Sequence, residues 1–367
     1  MKRTKFMVPI FLVLVFCGCA AGSNIDSRVG IPEAGDPGSL LLETDVNQPE
    51  WYQVYFSSPD DPSASTLRGG PDAHLAEAIN GARLSVDMAM DSLNLWSIRD
   101  ALLEAHHRGT AVRLVIESES LGSEEVQELI EAGIPIVDDR GEGLMHNKFT
   151  IIDRREVWSG SMNYTTSAAY RSDNNLVRIR SSGLAENYLV EFEEMFINYQ
   201  FGPDSPANTP LPVLEIEGTQ VEVYFSPDDG TMERMIELVE AAEESVYFMA
   251  YSLTDDDLAA ALTAAHNSGV EVVGVMDKAQ ALSNTGGDYH YLLEKGIAVH
   301  LDGNPQSMHH KVIIIDGEIV VTGSYNFSKS AKTRNDENTL VLHNPDLAEI
   351  FLDEFERVWM IALNFSD

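Results

Sequence analysis

The chain is written twice. Val54-Tyr55-Phe56-Ser57 recurs as Val223-Tyr224-Phe225-Ser226, and Ser85-Val86 as Ser245-Val246. Ala101-Leu102-Leu103-Glu104-Ala105-His106 recurs as Ala261-Leu262-Thr263-Ala264-Ala265-His266. Leu184-Ala185-Glu186 and Leu347-Ala348-Glu349 each open the last helical pattern of a copy, and 347 minus 184 gives 163. One unit duplicated in a chain of 367 residues points to two related bodies about a pseudo-two-fold axis, meeting along one shared seam.

Within each copy, short β-branched runs such as Val112-Arg113-Leu114-Val115-Ile116 follow amphipathic segments such as Ser97 to His107. Gly109 and Gly269 stand where helices stop, and Thr254 with Asp255, Asp256 and Asp257 reads as a helix start. Strands alternating with helical patterns predict an α/β fold. The bodies are expected at 51–200 and 219–367. Between them, 201–218 reads as a linker, because four prolines (Pro203, Pro206, Pro210, Pro212) exclude a helix interior or a central strand.

Two motifs occupy equivalent places in the copies: His146-Asn147-Lys148-Phe149-Thr150-Ile151-Ile152-Asp153 and His309-His310-Lys311-Val312-Ile313-Ile314-Ile315-Asp316. Their histidines are separated by 309 minus 146, again 163. With ten His, eight Lys and 27 Asp in the chain, composition alone predicts roughly 0.02 matches to such a pattern. Residues two apart on a strand share a face, so His and Lys of each motif are expected in one pocket, and Asp in the turn that ends the strand. Gly160-Ser161-Met162-Asn163 and Gly323-Ser324-Tyr325-Asn326 follow at matching positions. This set suits a phosphodiester. Lys148 and Lys311 supply positive charge to the phosphoryl oxygens, with Ser161, Asn163, Ser324 and Asn326 as hydrogen-bond donors. One neutral imidazole can attack phosphorus while the other, protonated, donates to the leaving oxygen. The two copies are symmetric in this respect, so either histidine can take either role. His310 is out of phase and reads as structural, Lys278 as exposed. His106, His107, His266 and His290 lie in helical segments without partners at metal-ligand spacing.

The chain opens with Met1-Lys2-Arg3-Thr4-Lys5, then an apolar run from Phe6 to Phe16, too short to span a bilayer comfortably, then Cys17-Gly18-Cys19-Ala20-Ala21. Residues 1–19 are therefore expected to be a signal peptide of lipoprotein type, with Cys19 as the lipidated residue. Residues 20–50, rich in Gly, Pro, Ser and Asp, read as a flexible tether. The expected location is the cell envelope (outer membrane or periplasm) or outside the cell. Both cysteines of the chain fall in this leader, so no disulfide or thiol chemistry is expected in the mature body. Acidic residues outnumber basic ones by 59 to 24, a net charge of -35. That balance argues against a protein that coats nucleic acid, and no stable nucleic-acid complex is expected.

His-x-Lys-x4-Asp followed by Gly-Ser-x-Asn, present twice over residues 50 to 365, resembles the phospholipase D superfamily. The resemblance implies two α/β domains with the active site at their interface, a covalent phosphohistidine, and neither metal nor cofactor. It implies His146, the first-motif histidine, as nucleophile and His309 as general acid. Asp153 and Asp316 would then orient imidazoles. Family members often carry an acidic residue after the second motif, here Glu337; the first copy has Asn174 at the matching place, so one supporting carboxylate is missing there. The implied activity is hydrolysis or transfer of a phosphatidyl group, with a phospholipid or other phosphodiester as substrate and a membrane surface reached through the lipid anchor. One monomer suffices for the site. The alternatives are a nuclease of the same superfamily and a catalytically dead phosphate-binding module.

Overall fold

The β-branched runs become strands and the amphipathic segments between them helices. The computed structural model describes residues 48–140, 143–283 and 287–365. The expected leader with Cys19, and the tether up to residue 47, lie outside the described residues.

In the first copy the strands are β1 (Tyr52–Phe56), β2 (Ser85–Met90), β3 (Ala111–Ile116), β4 (Ile136–Asp138), β5 (Lys148–Ile152), β6 (Glu156–Gly160) and β7 (Asn175–Arg180). They form one sheet in the order β1-β7-β6-β5-β2-β3-β4. The second copy contributes β8 (Val213–Ile216), β9 (Thr219–Ser226), β10 (Ser245–Ala250), β11 (Glu271–Met276), β12 (Ala298–Leu301), β13 (Lys311–Ile315), β14 (Ile319–Gly323) and β15 (Glu337–His343). Their order, β12-β11-β10-β13-β14-β15-β9-β8, repeats the first sheet and adds one edge strand. Strands β2, β3 and β4 run parallel, as do β10, β11 and β12, while β5 and β13 run antiparallel to their neighbours β2 and β10. The mixed α/β architecture with two like units is the one the sequence predicts.

The edge strand corrects the linker. Residues 213–216 pair with β9 from Val213↔Glu222 to Ile216↔Thr219. The hairpin turns at Glu217 and Gly218, both at positive φ (48° and 82°), which matches the twist of the flanking strands. The prolines precede β8 and do not interrupt it. Residues 201–212 hold one 3-10 turn, Gly202–Asp204, and no longer element.

Both sheets are covered on both faces, so their strands read as apolar runs and not as alternating patterns. All five residues of β5 and of β13 are buried. Between the sheets lies a core drawn from both copies, including Val54, Phe149 and Tyr188 of the first and Phe225, Val312, Phe351 and Phe355 of the second. The helices Ser182–Asn198 and Pro345–Asn364 supply Tyr188 and Phe351 to it. Across the seam the Tyr188 and Phe225 rings meet edge-on with centroids 5.1 Å apart. The two copies thus share one hydrophobic core, and the described residues form one compact unit. The expected helix start is present: Asp255 caps the helix Asp256–Ser268 by accepting from the Leu258 N–H, and Gly269 ends it at φ 103°.

Candidate active site

Strand pairing sets the site. Met90 of β2 faces Lys148 of β5, and Ala250 of β10 faces Lys311 of β13. The parallel strands therefore end where the two motifs begin. Each motif histidine is then strapped to the opposite copy. The His146 N–H donates to the Asp336 carbonyl (3.0 Å) and the Asp336 N–H to the Leu144 carbonyl (2.9 Å). In the mirror position the His309 N–H donates to Asp173 O (2.9 Å) and the Asp173 N–H to Ser307 O (3.0 Å). A second pair of braces comes from within each copy. Glu117 accepts from the Met145 N–H (2.8 Å) and Asp277 from the Met308 N–H (3.1 Å).

The imidazoles find their partners across the seam. His146 Nδ1 lies 2.8 Å from Glu337 Oε2, and that oxygen also accepts from the Ser324 hydroxyl at 2.7 Å. The other oxygen, Glu337 Oε1, is buried without a partner. His309 Nδ1 lies 2.9 Å from Asn174 Oδ1 and 3.1 Å from the Ser161 carbonyl. The Ser161 hydroxyl donates to Asn174 Oδ1 (3.0 Å), and Asn174 Nδ2 donates to Ala168 O (3.0 Å). Both Nδ1 atoms face acceptors only, which places the proton on Nδ1 of each neutral ring and leaves Nε2 for chemistry. The arrangement is symmetric in position and asymmetric in charge: a buried carboxylate stands behind His146, a neutral amide behind His309.

Both lysines reach the site. Lys148 Nζ donates to the His146 carbonyl (2.7 Å). Lys311 Nζ donates to the His309 carbonyl (3.0 Å) and sits 3.2 Å from His309 Nε2. Burial lowers the pKa of Lys148, against the pull of Asp91 and Glu337. Burial, then the charge of Lys148, lowers Lys311 well below the usual lysine value. His309 is likewise held well below 6.5, by burial first and then by Lys311 and Lys148. Without substrate, His309 is therefore neutral near pH 7, with Nε2 accepting from Lys311.

Two sequence expectations change. Asp153 and Asp316 do not touch an imidazole. Asp153 accepts from the backbone N–H groups of Arg83, Leu84 and Ser85 (2.7–3.2 Å). Asp316 accepts from those of Glu243, Glu244 and Ser245 (2.7–3.0 Å). Each sits at positive φ in the tight turn after its strand, as expected, and from there pins the start of β2 or β10. Ser161 and Ser324 hold Asn174 and Glu337 in place instead of facing the phosphoryl group. Their oxygens also accept the N–H groups of Asn175 (3.1 Å) and Asn338 (3.0 Å). Asn163 and Asn326 differ from the serines: their Oδ1 atoms are buried without a partner, which leaves an acceptor unfilled on each amide. His310 is structural, as read: fully buried, it bridges Glu354 (2.9 Å) and Asn175 (3.1 Å).

Four site residues escaped the sequence reading: Glu117, Asp277, Asp91 and Tyr251. The Tyr251 ring packs edge-on to His309 with centroids 4.4 Å apart, and Lys311 Nζ lies 4.7 Å from its centre. All four sit at strand ends in the repeat, and laying the two copies side by side beyond the motifs would have exposed them.

With this geometry in place, comparisons add identity. A family model described as "Cardiolipin synthase, PLD-like domain" matches residues 75–196 and 235–359. A "Phospholipase D" of Rickettsia bellii is 34% identical over 143 residues, covering 39% of this chain and 71% of that protein. A "Mitochondrial cardiolipin hydrolase" of Chlamydomonas reinhardtii is 33% identical over 135 residues, covering 37% of this chain and 60% of its own length. The crystal structure of a phosphatidylserine synthase from Haemophilus influenzae superposes with a TM-score of 0.62 over 83% of this chain and 86% of that one. At 11% identity that likeness speaks for the fold alone.

Proposed function

The chain belongs to the phospholipase D superfamily and is a phosphodiesterase of that type; on that premise we propose that it cleaves phospholipids through a phosphohistidine on His146. The observation that carries the reading is the 2.8 Å contact between His146 Nδ1 and the buried carboxylate of Glu337. When Nε2 attacks phosphorus, the ring still holds its Nδ1 proton and becomes cationic. A carboxylate behind it stabilises that charge; an amide behind it would not.

The complementary role falls to His309. Its Asn174 partner does nothing to retain a proton, so a protonated His309 is a willing donor. An arriving phosphodiester anion offsets the charge of Lys148 and Lys311, and His309 takes up a proton with it. Nε2 of His146 then forms a bond to phosphorus, the ester P–O bond breaks, and the His309 Nε2 proton passes to the departing alcohol oxygen. Neutral His309 next takes a proton from water as the water oxygen attacks phosphorus and the N–P bond breaks. An alcohol in place of water would give transfer of the phosphatidyl group.

Support for a phospholipid over a nucleic acid comes from the net charge of -35, which disfavours a polyanion, and from the names of the relatives. Export and lipidation at Cys19 belong to the same reading, since they would deliver the enzyme to a membrane surface. Labelled palmitate that Cys19→Ala fails to abolish would refute the anchor. The mechanism is tested with p-nitrophenyl phosphodiesters, whose leaving group needs little protonation. His309→Ala should release one burst of nitrophenol and leave an acid-labile phosphoryl adduct on His146, visible by intact mass. His146→Ala should give neither. A burst from His146→Ala, with the label on His309, reverses the roles. Wild-type turnover with no adduct in either variant removes the phosphohistidine.

A further inference from the structure

The two histidines hang from different anchors. Asp336 grips the first motif with its main chain: its N–H donates to the Leu144 carbonyl and its carbonyl accepts the His146 N–H, so Met145 and Asp336 lie side by side as a parallel bridge. The next residue, Glu337, reaches the His146 ring. A shift of residues 336 and 337 would therefore carry the imidazole with it. Asp173 and Asn174 hold His309 in the same way. Asp173 is itself tied down by side chains, through Arg357 and through Asn304 Nδ2 at 2.8 Å. Asp336, 1% exposed, is tied to the linker: its Oδ1 accepts the Gly202 N–H at 2.6 Å.

Gly202 is buried and opens the 3-10 turn of the linker at φ 55°. A Cβ there would stand 2.6 Å from the Arg334 carbonyl oxygen, and one on Gly143 would strike the same oxygen. Linker, strap and the loop that leads into His146 thus lie backbone on backbone, an approach that leaves no room for side chains at Gly202 or Gly143. Beyond the turn the linker is fastened again. Thr209 donates to Asp229 (2.7 Å), and Leu211 exchanges two hydrogen bonds with the Asn187 amide (2.6 and 2.9 Å). The segment that reads as a spacer between two bodies is a clamped strut, and one end of it bears on the strap of the nucleophile.

Resting on the assignment of His146 as nucleophile, we infer that this strut is part of the active site: through the Gly202 N–H it holds Asp336, and Asp336 is a positioning residue that aims His146 Nε2 at phosphorus. Attack on phosphorus tolerates little error, since misplacing a reacting group by about 1 Å can cost on the order of 100-fold. Hydrogen bonds behind the reacting residue are what fix such an aim. On the other side of the seam Arg357 takes the place of the strut. Loss of the Gly202 contact should therefore slow phosphorylation of His146 and spare proton transfer at His309.

The test is made in the His309→Ala background with a p-nitrophenyl phosphodiester, where the rate of the nitrophenol burst reports attack by His146 alone. Burst amplitude counts the folded sites, so the rate constant does not depend on how much of a variant folds. Asp336→Ala should slow the burst by about 10-fold or more, with the half-saturating substrate concentration unchanged. Asp336→Asn keeps an oxygen to accept the Gly202 N–H and should stay within about 3-fold of the parent. Gly202→Ala, which pushes on the strap through Arg334, should slow the burst as Asp336→Ala does. A burst from Asp336→Ala as fast as the parent's, or Asp336→Asn slowed as far as Asp336→Ala, overturns the inference while the phosphohistidine on His146 stands. A parent that gives no burst, or whose label is not on His146, overturns both.

Discussion

Replacing Glu194 by arginine should stabilise this protein above neutral pH, and the reason lies in a broken symmetry. On one side of the seam Arg357 pairs with Asp60 (3.0 Å), with Glu354 (2.8 Å) and with Asp173; Glu354 in turn meets His310 at 2.9 Å. Subtracting 163 places Glu194 opposite Arg357, Glu191 opposite Glu354, Asp336 opposite Asp173 and Asn147 opposite His310. The aligned Phe56-Ser57 and Phe225-Ser226 place Asp229 opposite Asp60. The second network thus keeps its carboxylates and has a further carboxylate where the guanidinium would be. Glu194 is 4% exposed, and its Oε2 is buried without a partner. Burial, then Asp228 and Asp229 against a hydrogen bond from Asn208, pushes its pKa up from 4.5 to about 7. Burial, then Asp336 and Glu194, raises Glu191 well above its usual value. A folded-state pKa above the unfolded one means that the folded protein binds the proton more tightly. The stabilising contribution of these two groups is therefore fully present below pH 4.5 and is lost, for Glu194, as pH rises through 7. For Glu194 alone, a rise from 4.5 to about 7 corresponds to at most about 3 kcal/mol by pH 8. At about 2.1 cal/mol/K of unfolding entropy per residue, a body of this size has roughly 0.7 kcal/mol/K, so the melting temperature should change by about 4 °C. Glu194→Arg should therefore melt about 4 °C above wild type at pH 8, with an advantage that shrinks toward pH 5. Glu194→Gln should show part of the gain. Differential scanning calorimetry from pH 5 to 9 reads both. A Glu194→Arg variant that melts lower than wild type at pH 8, or whose melting temperature falls with pH as steeply, would refute the reasoning.

Three further outcomes are expected. Glu337→Gln keeps the volume behind His146 but removes its charge, and should lower kcat by about 100-fold or more without lowering the melting temperature; an unchanged kcat would remove Glu337 from the mechanism. Asn174→Asp places a carboxylate behind His309 and raises its proton affinity, so the alkaline limb of the kcat/KM profile should move to higher pH; a limb that stays, or moves down, contradicts the assignment of His309 as the acid. Asp153→Ala and Asp316→Ala each strand three backbone N–H groups and should cost about 1–3 kcal/mol in urea unfolding, while turnover per folded molecule stays within a few-fold; a loss of turnover comparable to His146→Ala would return these aspartates to the chemistry.

The duplication and the doubled His-x-Lys motif determined a great deal by themselves. A repeat of one α/β pattern predicted two like sheets, and strand periodicity placed His and Lys of each motif together at a strand head. Both inferences use short-range information: a side chain's face follows from its own neighbours along the strand. The same logic put Asp153 and Asp316 in turns, since Asp tolerates positive φ. What it could not supply was the partner of any buried polar group. Glu337 reaches His146 across 191 positions of chain, and Asn174 reaches His309 across 135. Those pairings exist because two sheets share one core and strap each other's loops. The alignment of copies showed that Glu337 stands opposite Asn174, but only the seam made them the backs of two different imidazoles. It also turned the serines inward to hold them and left Glu194 among carboxylates where its twin is an arginine. Residue type fixes which groups must find partners when buried; the packing of one copy on the other decides which partners they find.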